Sequence, residues 1–343
     1  MKALSIVGGV AASKRVAQEQ AVCVPVQDTA AAMERLVEDW VDFTKMHSGV
    51  KSAQSEKTYR GAIRQLYHWL AEQGKSVLNA TDKDLFAWLE SLRTSKAAST
   101  VQTYLVAARL FFAFLSKQGV IGNNPAEGMK AGVKTNREHK RDYLTTAQVK
   151  EMFAAMPAVS VKDKRDRALV ALMVTAGLRC CEVQRAQYGD LRVVGDSHVL
   201  WIQGKGRSEK DSYVKVSPTA EKFLREYLTA RFGGKAIKDS DYLFVSTSRN
   251  HIAAYDANDM LSTQAVRAIV KDAMKAIGLN DSRHSAHSLR HTAATLALKA
   301  GEDLTNVQAM LRHTNISTTL IYSHALEREK INPERTIDNL LFG

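Results

Sequence analysis

Residues 311–324 read LRHTNISTTLIYSH. Arg312, His313 and His324 share this stretch with a single tyrosine, Tyr322, among small hydroxyl residues and aliphatics. A tyrosine kept only for packing needs one hydrogen-bond partner for its phenol. This stretch offers several, so the phenol reads as a group kept for chemistry, and Tyr322 is the candidate nucleophile. An unperturbed phenol, with a pKa of about 10, stays protonated at neutral pH. It therefore needs cationic neighbours or a proton acceptor before it can attack anything.

The surrounding chain says what kind of electrophile to expect. Of its 343 residues, 48 are Lys or Arg and 36 are Asp or Glu, giving a net charge of +12 and a pI near 9.5. Such an excess favours a polyanionic partner, nucleic acid ahead of anionic membrane. Cys23, Cys180 and Cys181 are few and odd in number, which excludes a disulfide framework and any zinc-type cysteine spacing and fits a reducing cytoplasm. No uninterrupted run of about 18 apolar residues occurs, so a membrane span is not expected. The start, MKALSIVGGVAASKRV, only loosely imitates an export signal because Gly8 and Gly9 break its apolar run. Residues 1–28 read as a loosely ordered extension.

From residue 29 the apolar period is helical. Met33, Leu36, Val37, Trp40 and Phe43 form one stripe; Tyr59, Ile63, Leu66 and Leu70 form the next, with Gly74 as its stop. Thr81 opens a third helix, and Ser99 with Gln102 has capping-box spacing for a fourth that ends at Gly119. Four helices with short connections, residues 29–128, predict a small all-α domain. Residues 129–142 lack apolar period. Between Lys130 and Arg141 they carry five basic residues, Lys130, Lys134, Arg137, Lys140 and Arg141, against one acid. This is the expected interdomain linker and a candidate phosphate-backbone contact.

A second domain is expected over 143–326. Thr145 and Gln148 form a capping box, RDRALVALMVTAG predicts a helix ending at Gly177, and Ser217 with Pro218 opens another. SHVLWIQ and DSYVKVS flank GKGRSEK as a hairpin with a glycine-rich basic turn, and DYLFVS reads as a further extended segment. Three more helices are predicted from STQAVRAIVKDAMKAIG, HSLRHTAATLALKAG and LTNVQAMLRHTN.

Arg179 follows Gly177, and Arg290 stands three residues after His287. An arginine set in apolar helix is costly unless its fork meets an anion. A structural ion pair explains one such residue; two favour a phosphate clamp. Glu182, three residues after Arg179, would orient it or pair with it. Lys205 stands between two glycines at the hairpin tip, which would let it reach a phosphate. His287 and His291, four apart, have metal-compatible spacing, but no intervening glutamate or nearby third ligand supports a metal. The simpler reading keeps one histidine as a donor and leaves the others facing solvent.

Taken together, Arg179, Lys205, the His287-Ser-Leu-Arg290 run, His313 and Tyr322 resemble, in order and approximate spacing, the active-site residues of the tyrosine recombinase (phage integrase) family. TAGLRCCEV is similar to its first arginine box, SAHSLRHTAATLALKAG to its second and LRHTNISTTLIYSH to its nucleophile box. The resemblance spans roughly residues 30–330. It implies a mainly α fold with a small β-sheet: an all-helical core DNA-binding domain plus a mixed α/β catalytic domain, closing as a clamp around DNA. The implied activity is site-specific strand exchange through a 3′-phosphotyrosyl intermediate and a Holliday junction, with no metal, nucleotide or other cofactor. Arg179, Arg290 and His313 would hold the non-bridging oxygens, Lys205 would act as general acid, and His287 would serve as base or donor with Glu182 in support. The implied partner is double-stranded DNA with paired inverted-repeat sites. The implied assembly is a homotetramer on two duplexes, linked by residues 327–343 docking between protomers, and weakly associated when free. Residues 1–28 are too short for a separate arm-binding domain, so the chain resembles the two-domain members.

One position departs from the family pattern. The residue before His313 is usually glycine, and here it is Arg312, an extra charge beside the site and a further DNA-contact candidate. Three alternatives stay open at this level: a type IB topoisomerase, a non-catalytic DNA-binding protein of the same fold, and a zinc hydrolase built on His287 and His291.

Overall fold

The computed structural model describes residues 30–47, 53–133, 142–204, 206–246, 259–313, 315–316, 319–320, 322 and 333–342. The expected extension (1–28), Lys134, Arg137, Lys140 and Arg141 of the linker, and Lys205 lie outside the described residues. The chain divides into two compact units, residues 1–136 and 137–343.

The first unit holds α1 (Ala30–His47), α2 (Ala53–Glu72), α3 (Asp82–Ser95) and α4 (Ala98–Lys117). Their apolar stripes meet in one core around Trp40, Ile63, Leu66, Trp88, Phe111 and Phe112. Thr81 caps α3 in a reciprocal box with Asp84, as its spacing predicts. The expected box at Ser99 is not made. The N-cap of helix α4 lies two residues earlier, at Ala97, with no side-chain cap, because the apolar register of Val101, Leu105 and Ala108 fixes where the helix must lie. By length and composition α4 is apolar enough to cross a membrane, a property that a search for unbroken apolar runs does not register. Here Val101, Leu105, Phe111, Phe112 and Leu115 of that helix are buried in the core.

The second unit is built on α6 (Val161–Ala176), with every residue from Ala168 to Val174 buried. A helix apolar all round needs neighbours on several sides. It packs against α8 (Pro218–Phe232), α9 (Thr263–Lys275) and α10 (Ala286–Lys299). The capping box at Thr145 opens α5 (Thr146–Ala155), and Ser217 with Pro218 opens α8. α7 (Cys180–Arg185) and α11 (Leu304–Leu311) complete the helices nearest the site.

The sheet is antiparallel, β1 (Leu191–Val194), β2 (Ser197–Ile202) and β3 (Ser212–Lys215), in that order. Registers Leu191↔Leu200 and Leu200↔Val214 set the pairing. β2 and β3 form the expected hairpin. DYLFVS contributes only isolated bridges, Gln187↔Tyr242 and Val245↔Met260. β1 adds a strand that the sequence pattern does not signal. The last described helix, α12 (Pro333–Phe342), leaves Ile337, Leu340, Leu341 and Phe342 exposed.

Candidate active site

The site begins where α6 stops. Gly177 adopts φ 61°, ψ 33° and ends the helix, Leu178 is buried, and Arg179 caps α7 two residues on. A Cβ at Gly177 would lie 2.7 Å from Leu311 Cδ2. Gly177→Ala therefore combines a left-handed backbone with a clash against a fully buried leucine. The substitution is expected to cost about 1–3 kcal/mol, read as a lower urea midpoint; an unchanged midpoint would refute the close approach.

Arg179 is held by Glu182 twice. Its backbone N–H donates to Oε2 at 2.7 Å and its Nη1 donates to Oε1 at 2.8 Å. Glu182 is buried, in the first turn of α7. Arg290, in α10, is 1% exposed. Its Nη1 donates to the Gly177 carbonyl at 2.5 Å and its Nη2 donates to the Leu311 carbonyl. One guanidinium thus ties the ends of α6 and α11 together. Burial, then the Arg179 and Arg312 charges, push Arg290 down to about 9. It remains cationic at neutral pH, but under-compensated.

α11 ends in a Schellman-type turn. The Arg312 N–H donates to the Ala309 carbonyl at 3.0 Å and the His313 N–H to the Gln308 carbonyl at 3.2 Å. This turn presents His313, whose Nδ1 lies 2.9 Å from Thr319 Oγ1. Burial, then Arg290, Arg179, Arg312 and His287, push His313 down to about 4 from its ordinary 6.5. The ring is therefore neutral at pH 7, a hydrogen-bonding group rather than one of the cations near Tyr322.

The sign of the linkage follows from that shift. Below 6.5 the unfolded chain takes up a proton that the folded one refuses until about 4, so stability falls as pH drops through this window. NMR titration of the His313 ring should give a midpoint near 4, moving upward when orthophosphate occupies the cleft. An anion-free midpoint at 6.5 would contradict the placement.

Tyr322 is 4% exposed and packs on Ala294, Val307 and Leu311. Burial raises its pKa while Arg290 and Arg179 pull it down. Its ring lies against His291, centroids 5.2 Å apart, and His291 in turn meets His287 at 4.6 Å. Here the structure corrects the histidine assignment. His291 is 3% and His284 7% exposed, so neither faces solvent, whereas His287 is exposed. His284 pairs with Asp281 at 2.9 Å. The ring beside the phenol is His291, which residue spacing alone does not single out from His287.

Arg179, Glu182, His287, Arg290, Arg312 and His313 line one open cleft of about 660 Å³. Arg207, which follows the hairpin tip, lines it too and had no sequence signal of its own. Arg312, the extra charge expected beside the site and a candidate DNA contact, lines the cleft, its Nη2 donating to Glu182 Oε2 at 2.8 Å. Lys130 is exposed in the first unit.

Comparison with known proteins bears on both units. The Phage integrase family matches residues 142–329, and the Phage integrase N-terminal SAM-like domain matches residues 40–119. Tyrosine recombinase XerC of Xylella fastidiosa (strain 9a5c) is 30% identical over 294 residues, covering 85% of this chain and 92% of that protein. Tyrosine recombinase XerD of Lacticaseibacillus casei is 26% identical, covering 85% and 94%. Among solved structures, XerH site-specific recombinase bound to palindromic difH substrate aligns with a TM-score of 0.66 at 18% identity, covering 92% of this chain and 98% of that one. A lambda integrase tetramer bound to a Holliday junction aligns at 0.60 and 16%, covering 83% and 76%. At these identities the two structures speak for the fold, and the sequence matches speak for kinship. With a cleft of arginines and a buried tyrosine on a chain matched over residues 40–119 and 142–329, the protein belongs to the phage integrase family of tyrosine site-specific recombinases.

Proposed function

We propose that the cleft lined by Arg179 and Arg290 receives the scissile phosphodiester and that Tyr322 attacks its phosphorus in line. The bond from phosphorus to the 5′-oxygen breaks as the bond to the Tyr322 oxygen forms, leaving a 3′-phosphotyrosyl link and a free 5′-hydroxyl. Arg179 and Arg290 stabilise the charge that spreads over the non-bridging oxygens, the term that dominates phosphoryl transfer. His313, neutral before the phosphate arrives, donates a hydrogen bond to the same oxygens. The phenol proton leaves through His291 and His287, and Lys205 protonates the departing 5′-oxygen. Because the link retains the phosphodiester's energy, a partner strand's 5′-hydroxyl reseals it.

The convergence of Arg179, Arg290 and His313 from three separate elements on one cleft carries this reading. The substrate is double-stranded DNA with paired inverted repeats, bound by four copies on two duplexes, in the cytoplasm. Lys130, Lys134, Arg137, Lys140 and Arg141 track the backbone. The exposed apolar side chains of α12 fit a helix that docks on a neighbouring copy. A nicked suicide duplex, taken from DNA flanking the gene, tests the chemistry: the freed 5′-hydroxyl fragment diffuses away and traps an SDS-resistant adduct. An adduct on the 5′ side of the break would overturn the proposed polarity.

A further inference from the structure

Among the described residues, Arg312 is the one non-glycine with positive φ, at 55° with ψ 43°. It occupies the left-handed position of the turn that ends α11, where a residue without a Cβ is preferred. A long side chain held in an unfavourable backbone region at a cleft calls for a compensating contact. Its guanidinium supplies one. Nη2 donates to Glu182 Oε2 at 2.8 Å and Nη1 donates to the Met310 carbonyl at 2.6 Å, with the side chain 12% exposed.

The partner is the informative part. Glu182 has a fully buried side chain and already holds Arg179 through both oxygens. With glycine at 312, Arg179 and Glu182 would form a neutral pair and Arg290 would be left as the uncompensated guanidinium. A buried carboxylate beside the phosphate position would also repel the incoming anion in a low-dielectric site. The cleft's other carboxylate, Asp211, pairs with Arg207 at 3.4 Å, so with arginine at 312 Glu182 is shared between Arg179 and Arg312 and can orient Arg179 without cancelling it.

We infer that Arg312 is a positioning residue of the strand-cleavage reaction, which neutralises Glu182 so that Arg179 stays both oriented and net positive toward the phosphodiester. The inference rests on the phosphodiester occupying this cleft. It does not make Arg312 a DNA-surface contact, because its charge is committed inside the protein.

Arg312→Gly relaxes the backbone, so the variant is not expected to fail in folding. It should slow adduct formation on the suicide duplex by roughly tenfold to a hundredfold, with the salt dependence of DNA binding unchanged. The midpoint of His313 should rise, since Arg312 is one of the charges that hold it down. Arg312→Lys, which keeps the charge, should recover most of the rate and the low His313 midpoint. Parental cleavage by Arg312→Gly, or Arg312→Lys no faster than Arg312→Gly, overturns the inference. Arg179→Ala separates the two levels. If it cleaves at the parental rate, the reading of the cleft fails; if it is inactive while Arg312→Gly is not, only the role of Arg312 fails.

Discussion

Tyr322→Phe is expected to bind its DNA site as the parent does and to form no SDS-resistant adduct at all. The substitution removes one oxygen from a side chain that is 4% exposed and packed on Ala294, Val307 and Leu311. The ring, which fills that space and meets His291 at 5.2 Å, is retained. The packing penalty is therefore confined to the hydroxyl's own hydrogen bonding, about 1 kcal/mol. The expected chemical penalty is complete, because the oxygen removed is the one proposed to bond to phosphorus. Adduct yield on the suicide duplex and a gel shift on the same duplex measure the two separately. An adduct with the phenylalanine variant would move the nucleophile elsewhere in the chain.

That experiment also bears on how the phenol is stored. Tyr322 is not among the residues lining the cleft in which the phosphate is proposed to sit. Burial raises its pKa, so the free protein keeps its nucleophile protonated. Attack then requires the ring to reach the phosphate and lose its proton. A phosphate in the cleft would raise the proton affinity of His313 at the same moment, by offsetting the arginine charges that lower it.

Features set by local residue type and spacing were legible in the sequence. Thr81, Thr145 and Ser217 start helices because a side-chain oxygen at the cap meets the N–H three residues on, within one turn. That Arg179, Arg290 and His313 belong to one cleft was legible because each lies in a box whose order is informative. β1 was not. Its four residues, LRVV, are mostly exposed and carry no inside-outside alternation, so pairing with β2 creates the strand. The start of α4 was misread because a box spacing is only a possibility until core register chooses the helix phase.

The site shows the same boundary. That His287 and His291 share a helix face is local information. Which of them is buried against Tyr322 depends on how Tyr322 packs on α10 and α11, a contact that local spacing does not encode. Glu182 was expected to support Arg179, three residues away. Its second arginine, Arg312, is separated from it by 130 positions. Nothing in either segment's spacing encodes that contact; the unusual residue before His313 was the sole sign.

Arg290→Ala should cost both chemistry and stability, and the structure explains why the two cannot be separated at this residue. The expected loss in cleavage is about 10²–10³-fold or more, the scale for removing a charge-stabilising donor from a transition state. The same guanidinium donates to the carbonyls of Gly177 and Leu311. Truncation leaves both helix-end carbonyls without this buried donor, so unfolding stability should fall by about 2–4 kcal/mol. Arg290→Lys retains a charge, but a single ammonium lacks the planar fork that bridges two carbonyls while turning further donors toward a ligand. It should recover part of the stability and little of the cleavage. Urea midpoints and adduct yields decide this, and an alanine variant of parental stability would mean the carbonyl bridge contributes nothing in solution. The lowered pKa of Arg290 carries the argument one step further. An arginine is protonated in the unfolded chain at every relevant pH, so at neutral pH the folded protein already bears the full cost of keeping this charge buried among other cations. In the proposed reaction a bound phosphodiester would offset that cost, and charge spreading onto its oxygens in the transition state would offset more. On that reading the buried cation favours the species in which phosphorus is under attack.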